Sequence, residues 1–257
     1  MGVIRLTVDY TKKTTIVNIR DIGGIPVTHG QLKEKTFFRS GELCNISTYD
    51  ISFLEDKLHL KKIYDFRRPE EIENRPDSLF EKIKYENINL MSTAGQANPS
   101  LKNMTISDNI ESHMLDAYTE LVLGNSAQTG YHTFLMELVK TPQPVIFHCF
   151  AGKDRTGFAA ALILKIAGAT SNEIYKDYLQ TNEARKNANK EILATFSNRL
   201  SPKKLAGLEV SLNVKSDYLA HAFDLIDHHF GNFNSYLLDG LGLPENYTSA
   251  FQKIYVD

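Results

Sequence analysis

Val145-Ile146-Phe147-His148-Cys149-Phe150-Ala151-Gly152-Lys153-Asp154-Arg155-Thr156-Gly157 is an apolar run that breaks into a short glycine-containing loop carrying one cysteine. The run reads as a buried strand, and the loop as its sharp exit. Phe158 to Ala167 follow, nearly all apolar and rich in Ala, Leu and Ile, which predicts a helix buried on most sides. Strand, tight loop and buried helix aim backbone N–H groups and the positive end of a helix dipole at one point, a geometry that suits an anion. Cys149 sits inside that field.

The helix N-terminus, Lys153 and Arg155 all favour thiolate over thiol at Cys149, and the thiolate is the nucleophilic form. Arg155 follows Cys149 by six positions, and its planar guanidinium can hold two oxygens of a phosphate while spreading positive charge over the group being transferred. One loop thus offers a nucleophile, a backbone cradle from Phe150 through Ala151, Gly152 and Lys153, and a charge clamp.

His-Cys, five residues, Arg and then Thr, filled here by His148, Cys149, Arg155 and Thr156, resembles the signature of the cysteine-dependent tyrosine and dual-specificity phosphatases. With Gly-Lys-Asp-Arg-Thr-Gly at 152–157, it looks most like the bacterial tyrosine phosphatases that also accept phosphoinositides, typified by secreted phosphatases of mycobacteria and Listeria. Asn18-Ile19-Arg20-Asp21-Ile22-Gly23-Gly24, Phe38-Arg39-Ser40-Gly41, Asp65-Phe66-Arg67 and Asp177-Tyr178-Leu179-Gln180-Thr181-Asn182 extend the likeness over most of the chain. The resemblance implies an α/β fold of tyrosine-phosphatase type: a central, mostly parallel sheet of about four or five strands flanked by helices, with extra helices able to form a lid.

A chain of 257 residues with 42% hydrophobic content can bury a sizeable core in one domain, here expected to span 1–257. A formal charge of −2 argues against a nucleic-acid binder working by bulk electrostatics. Cys44 and Cys149, the two cysteines, give neither a disulfide framework nor metal-ligand spacing, and Cys44 reads as a small buried residue. The paired His228-His229 point in different directions on a helix and hold no metal by themselves. No metal or organic cofactor is expected. The first residues lack the apolar core of a signal peptide, and no run is long enough to span a bilayer. A soluble protein, cytoplasmic or secreted with its export signal removed, is the expectation.

Alternation predicts strands at Thr14–Ile19, Thr36–Arg39, Lys62–Asp65 and Tyr85–Leu90. Helical patterns run from a Thr48-Tyr49-Asp50 cap to about Leu60, around Ile110–Leu123 and Tyr131–Val139, from a Thr170/Glu173 capping box through Leu179, and from Leu219 to a glycine stop at Gly231. Arg68-Pro69-Glu70-Glu71 opens a loop or short acidic helix. The strand ending at Asp65 delivers Asp65 and Arg67 to the carboxyl edge of the sheet, where ligands of open α/β sheets bind. The polar segment 182–204, with Arg185, Lys186, Lys190, Arg199, Lys203 and Lys204, reads either as a solvated helical face or as a basic lid over the site.

The chemistry to expect is hydrolysis of a phosphate monoester in two steps, with Cys149 as nucleophile, Arg155 and the loop N–H groups on the phosphoryl oxygens, Thr156 aiding departure of the sulfur, and His148 orienting the loop. The leaving oxygen needs a proton. Met91–Ser100, a stretch suited to a mobile active-site loop, contains no carboxylate. Asp154 is therefore the preferred acid, because it lies in the loop that touches the substrate; Asp65 is the alternative, with Asp21 and Glu70 as further candidates. Lys153 either adds a second cation to the pocket floor, favouring phosphoinositides beside phosphotyrosine, or pairs with a nearby carboxylate. A dedicated phosphoinositide phosphatase and a phosphate-binding pseudophosphatase are the alternatives.

Overall fold

The computed structural model describes residues 14–92 and 109–257. Strands β1 (Arg20–Asp21), β4 (Phe37–Ser40), β5 (Lys62–Asp65), β6 (Lys84–Asn87) and β7 (Val145–His148) form one sheet in the order β1-β4-β7-β5-β6. Only β1 runs antiparallel; β4, β7, β5 and β6 are mutually parallel. A separate hairpin pairs β2 (Pro26–Val27) with β3 (Gly30–Gln31).

Period-two alternation assigns the strand side chains to two cores. Phe38, Ile146 and Ile63 stand in register on neighbouring strands and pack with Leu43, Leu54, Leu58 and Leu60 in the smaller core. Phe37, Val145, Phe147 and Tyr64 point the other way, into the larger core. Each such side chain contributes roughly 1.5–3 kcal/mol by leaving water.

The larger core is built on α5 (Arg155–Ala167), in which every residue but Lys165 is buried. Around it lie α3 (Ile110–Leu123), α4 (Asn125–Lys140), α6 (Ser171–Phe196), α8 (Ser216–Phe230) and the closing α9 (Tyr247–Tyr255), while α7 (Pro202–Leu212) packs outside against α3 and α6. Gly168, at φ 94°, ends α5 in the left-handed conformation that glycine adopts without strain.

The expected α/β sheet is present, and several boundaries move. Thr14–Ile19 is not a strand: Asn18 turns the chain at φ 63°, and Thr15 bonds the Asp50 carboxylate rather than a neighbouring strand. The helix placed at 48–60 is α1 (Thr48–Ser52), capped by Ser47 with Asp50, running directly into a wider π turn at Phe53–Lys57. Arg68-Pro69-Glu70-Glu71 starts a short helix, α2 (Pro69–Asn74). The helix foreseen through Leu179 continues to Phe196, and at its start Thr170 accepts from the Glu173 N–H. The stretch expected as a mobile loop, Met91–Ser100, lies outside the described residues from 93 onward.

Register places Ser40, His148 and Asp65 side by side at the carboxyl edge of three adjacent parallel strands. The chain leaves that row through Gly41-Glu42, Cys149-Phe150 and Phe66-Arg67. Three loops therefore meet at one point.

Candidate active site

What shapes the loop between β7 and α5 is the fate of its carbonyl oxygens. Phe150 O accepts from the Glu42 N–H at 3.1 Å, Ala151 O from Arg185 Nη1 at 2.9 Å, and Gly152 O from Asn18 Nδ2 at 2.8 Å and Arg39 Nη2 at 2.9 Å. A peptide is planar with C=O and N–H opposed, so drawing these oxygens outward turns the N–H groups of Ala151, Gly152 and Lys153 inward. Successive inward N–H groups make an anion cradle. Gly152 is required by this path: its φ is +68°, and a Cβ would lie 2.2 Å from Ser40 O.

Cys149 is buried at the head of the loop. Burial alone would raise its thiol; the Arg155 guanidinium and hydrogen bonds from the Thr156 hydroxyl and N–H outweigh that and hold it below the ordinary thiol range. The Thr156 hydroxyl has no hydrogen-bond partner of good geometry among the described residues, and it lies close enough to the sulfur to help hold the thiol low.

Arg155 is aimed by Glu71. The Glu71 carboxylate takes both arms of the guanidinium, at 2.6 and 2.8 Å, and Phe66 O accepts a further bond at 3.2 Å. Glu71 is itself fixed in the first turn of α2, where Pro69 pre-sets the backbone and Arg68 N–H donates to Glu71 Oε2 at 3.0 Å. Burial pushes the Glu71 carboxyl up, and Arg155 more than offsets it, so the group is held low.

Asp154 stands at the N-cap position of α5 without a side-chain capping bond and is buried, as is Lys153. Lys153 Nζ lies 2.6 Å from Asp154 Oδ2, and the Tyr118 hydroxyl donates to Asp154 Oδ1 at 3.1 Å. Lys153 thus pairs with a neighbouring carboxylate, the second of the two readings its sequence allowed.

The matched segments elsewhere in the chain converge on this loop. Asp177 accepts from Arg20 Nε at 2.7 Å and Arg39 Nη1 at 2.5 Å, and these two cations, against the effect of burial, hold its carboxyl low. Arg39 then reaches Gly152 O, and Asn18, whose carboxamide oxygen accepts from Arg20, reaches the same oxygen. A family model described as the tyrosine phosphatase family matches residues 11–257. The chain belongs to that family. Triple specificity protein phosphatase PtpB of Mycobacterium tuberculosis is 34% identical over 146 residues, covering 53% of this chain and 52% of that protein. A protein of Cupriavidus necator named as a tyrosine-protein phosphatase is 29% identical over 239 residues, 88% of this chain and 82% of that one. A tyrosine-protein phosphatase of Nostoc commune is 32% identical over 144 residues, 55% of this chain and 47% of its own length. The match to PtpB therefore spans about half of that relative's length.

Behind the loop of this tyrosine phosphatase family member, Asp65 belongs to a saturated charge network. Arg67 binds it through the backbone N–H, Nε and Nη2 at 2.7–3.0 Å, and the Tyr85 hydroxyl adds a bond at 2.8 Å. Arg67 also pairs with Asp77 at 2.7 Å. His148 is fully buried, with Nε2 2.9 Å from Asp77 Oδ2, though off hydrogen-bond angle, and Nδ1 3.2 Å from Cys149 O. Burial lowers the imidazole and the Asp65 and Asp77 carboxylates outweigh it, raising it to about 9, so His148 is a cation near neutrality. Asp65, Asp77 and His148 offer atoms within 4.8 Å of one another, as a metal site would; Arg67 and charged His148 already balance the two carboxylates.

Of the other acid candidates, Asp21 holds the turn through Gly23 N–H and Lys35 N–H, and Glu70 is a surface partner of Arg68. Reading the sequence missed Glu71, Tyr118, Asp77 and the buried role of Arg185. Only Glu71 had a local signal, three residues after Arg68 with Pro69 between, the spacing of a helix start. Segment 182–204 resolves into the distal part of α6 and the start of α7, where Lys186 is exposed but Arg185 is buried against the loop.

Proposed function

We propose that the protein is a single phosphatase domain that hydrolyses phosphate monoesters, phosphotyrosine foremost, through a phosphocysteine intermediate on Cys149. The observation that carries this reading is the Cys149 thiol, lowered by Arg155 and Thr156 at the mouth of a loop whose Phe150, Ala151 and Gly152 carbonyls are tied outward.

In the first step the Cys149 thiolate attacks phosphorus; an S–P bond forms as the ester P–O bond breaks. The inward N–H groups and the Arg155 guanidinium, pre-aimed by Glu71, hold the phosphoryl oxygens, where preorganised donors lower the barrier without reorganising. The departing oxygen takes a proton from Asp154. An arriving phosphate competes with Asp154 for Lys153 and frees the carboxyl to face the departing oxygen. In the second step water attacks phosphorus, Asp154 recovers a proton from it, and the S–P bond breaks. Thr156 donates to the sulfur as it leaves, returning the thiolate. His148 and Asp65 support the loop from behind.

The likeness to PtpB, named a triple specificity protein phosphatase, supports a site open to more than one class of phosphoester. The same Lys153, once released from Asp154, is the cation a polyanionic phosphoinositide would engage, and activity on such lipids is the second reading. Among the described residues no helix is long and apolar enough to cross a membrane, so a lipid substrate would be met at its surface. Turnover on a matched panel of phosphotyrosine peptides, phosphoserine peptides and soluble phosphoinositides tests both. Phosphotyrosine should lead in kcat/KM, with Lys153→Met reducing phosphoinositide turnover more than peptide turnover; no phosphate release from any member would refute the activity and favour a phosphate-binding pseudophosphatase.

A further inference from the structure

Asp154 is gripped from the helical side by two buried phenols in series. Tyr118, on α3, donates to Asp154 Oδ1 at 3.1 Å, and the Tyr178 hydroxyl, on α6, lies 2.6 Å from that of Tyr118. Both are essentially without exposure, at 0% and 1%. A phenol has one proton, and a carboxylate paired with Lys153 only accepts, so Tyr118 gives its proton to Asp154 and Tyr178 gives its own to Tyr118. Burial, with the Asp154 charge adding to it, pushes both phenols well above their ordinary range, so neither ionises. Room for Tyr178 is made by Gly157 in the first turn of α5, where a Cβ would lie 3.2 Å from the Tyr178 ring.

Other buried tyrosines of this chain end differently. Tyr131, Tyr247 and Tyr255 donate to the backbone oxygens of Arg155, Leu135 and Leu138, which is how a core phenol is ordinarily satisfied. Tyr118 ends on a side chain of the loop itself. Asp154 is also faced by Lys153 and Cys149 from the loop, Tyr131 from α4, Arg185 from α6 and Tyr218 from α8; of these only Lys153 touches its carboxyl oxygens.

We infer that Tyr118, steadied by Tyr178, is a positioning residue for proton transfer by Asp154, occupying Oδ1 so that the mobile proton is carried on Oδ2. This rests on Asp154 being the acid. The phenol bond persists whether or not Asp154 is protonated, because Oδ1 accepts in both forms. The proton leaves Oδ2 for the departing oxygen and returns there from water. Lys153, a flexible point charge, is the partner that yields.

The test is kcat/KM for aryl phosphates spanning acidic to weakly acidic phenols, in the wild type, Asp154→Asn, Tyr118→Phe and Tyr178→Phe. Asp154→Asn should steepen the dependence on leaving group, losing about 100-fold on tyrosyl phosphate and little on the most activated ester. Tyr118→Phe should steepen it in the same sense, by about five- to tenfold on tyrosyl phosphate with KM unchanged, and Tyr178→Phe by about two- to threefold. Phe fills the same volume, so a role in packing alone predicts equal losses across the series. Equal losses or none in both tyrosine variants, beside a steep Asp154→Asn, would overturn the tyrosine inference alone. A flat Asp154→Asn would overturn both it and the assignment of the acid.

Discussion

Asp154 and Asp65 are both buried, both beside the Cys149 loop, and both paired with a basic residue one or two positions along the chain. They differ in how their oxygens are held. Each oxygen of Asp65 accepts at least two bonds, and every donor is a rigid fork, a backbone N–H or a phenol. Among the described residues each oxygen of Asp154 has one partner, and that of Oδ2 is the ammonium of Lys153. A carboxylate saturated by a guanidinium fixes geometry, whereas one whose partner can be re-aimed is able to exchange a proton. Depth of burial does not separate the two; the chemistry of the donors does.

The sharpest way to break the comparison is to exchange the fork proposed to hold the phosphoryl group for a point charge. Arg155→Lys cannot span both Glu71 oxygens and a phosphoryl group, and turnover should fall about 100-fold or more, as for loss of a preorganised donor. Glu71→Gln keeps the Arg155 charge but loosens its aim and should cost about tenfold, read as kcat at saturating phosphotyrosine peptide. Near-normal turnover in Arg155→Lys would mean that the phosphate is held elsewhere.

How much of this was legible follows the range of the interactions. Cys149 to Thr156 form one uninterrupted stretch, so the candidate nucleophile, cradle and clamp can be read together; Val145–His148 is a short apolar run with a clear end, and Lys62–Asp65 sets Ile63 and Tyr64 between charged residues. Glu71 and Arg155 are far apart in sequence and meet only because β5 and β7 are neighbours. Tyr118 reaches Asp154 from a helix whose apolar stripe reads as plain core, since a phenol in such a stripe does not declare where its hydroxyl ends. Thr14–Ile19 alternates like a strand, and a left-handed Asn18 overrides the pattern.

The comparison sharpens in a paired substitution. Asp65→Asn strips a charge from a buried network and leaves Arg67 undercompensated, so it should lower stability by about 3 kcal/mol and depress all substrates evenly. Asp154→Asn leaves the buried Lys153 ammonium without its counter-charge and should also lower stability, but it alone should act on leaving-group dependence. The aryl phosphate series, run where both variants are folded by denaturant unfolding, separates the two; leaving-group sensitivity in Asp65→Asn would move the acid to the strand end.

A smaller effect concerns the cation behind the loop. His148 is raised from 6.5 to about 9 by Asp65 and Asp77 against burial, so its contribution to stability is complete below about pH 6.5 and is lost as pH rises through about 9. The loss should be at most roughly 3 kcal/mol. Taking the difference between wild type and His148→Gln at each pH cancels the opposing titration of Cys149, and that difference should shrink between about pH 6.5 and 9. A pH-independent difference would show that the imidazole is neutral throughout.

Covalent capture of the phosphoryl group on Cys149 is the claim on which everything else depends. Rapid acid quench of the wild-type protein during turnover of a radiolabelled phosphotyrosine peptide, followed by peptide mapping, measures it directly. Label should appear on the peptide containing Cys149 within the first turnover, survive acid and be released by conditions that cleave thiophosphates, while Cys149→Ser should bind the peptide and carry no label. Phosphate release with no labelled Cys149 peptide, or turnover surviving in Cys149→Ser, would contradict the account.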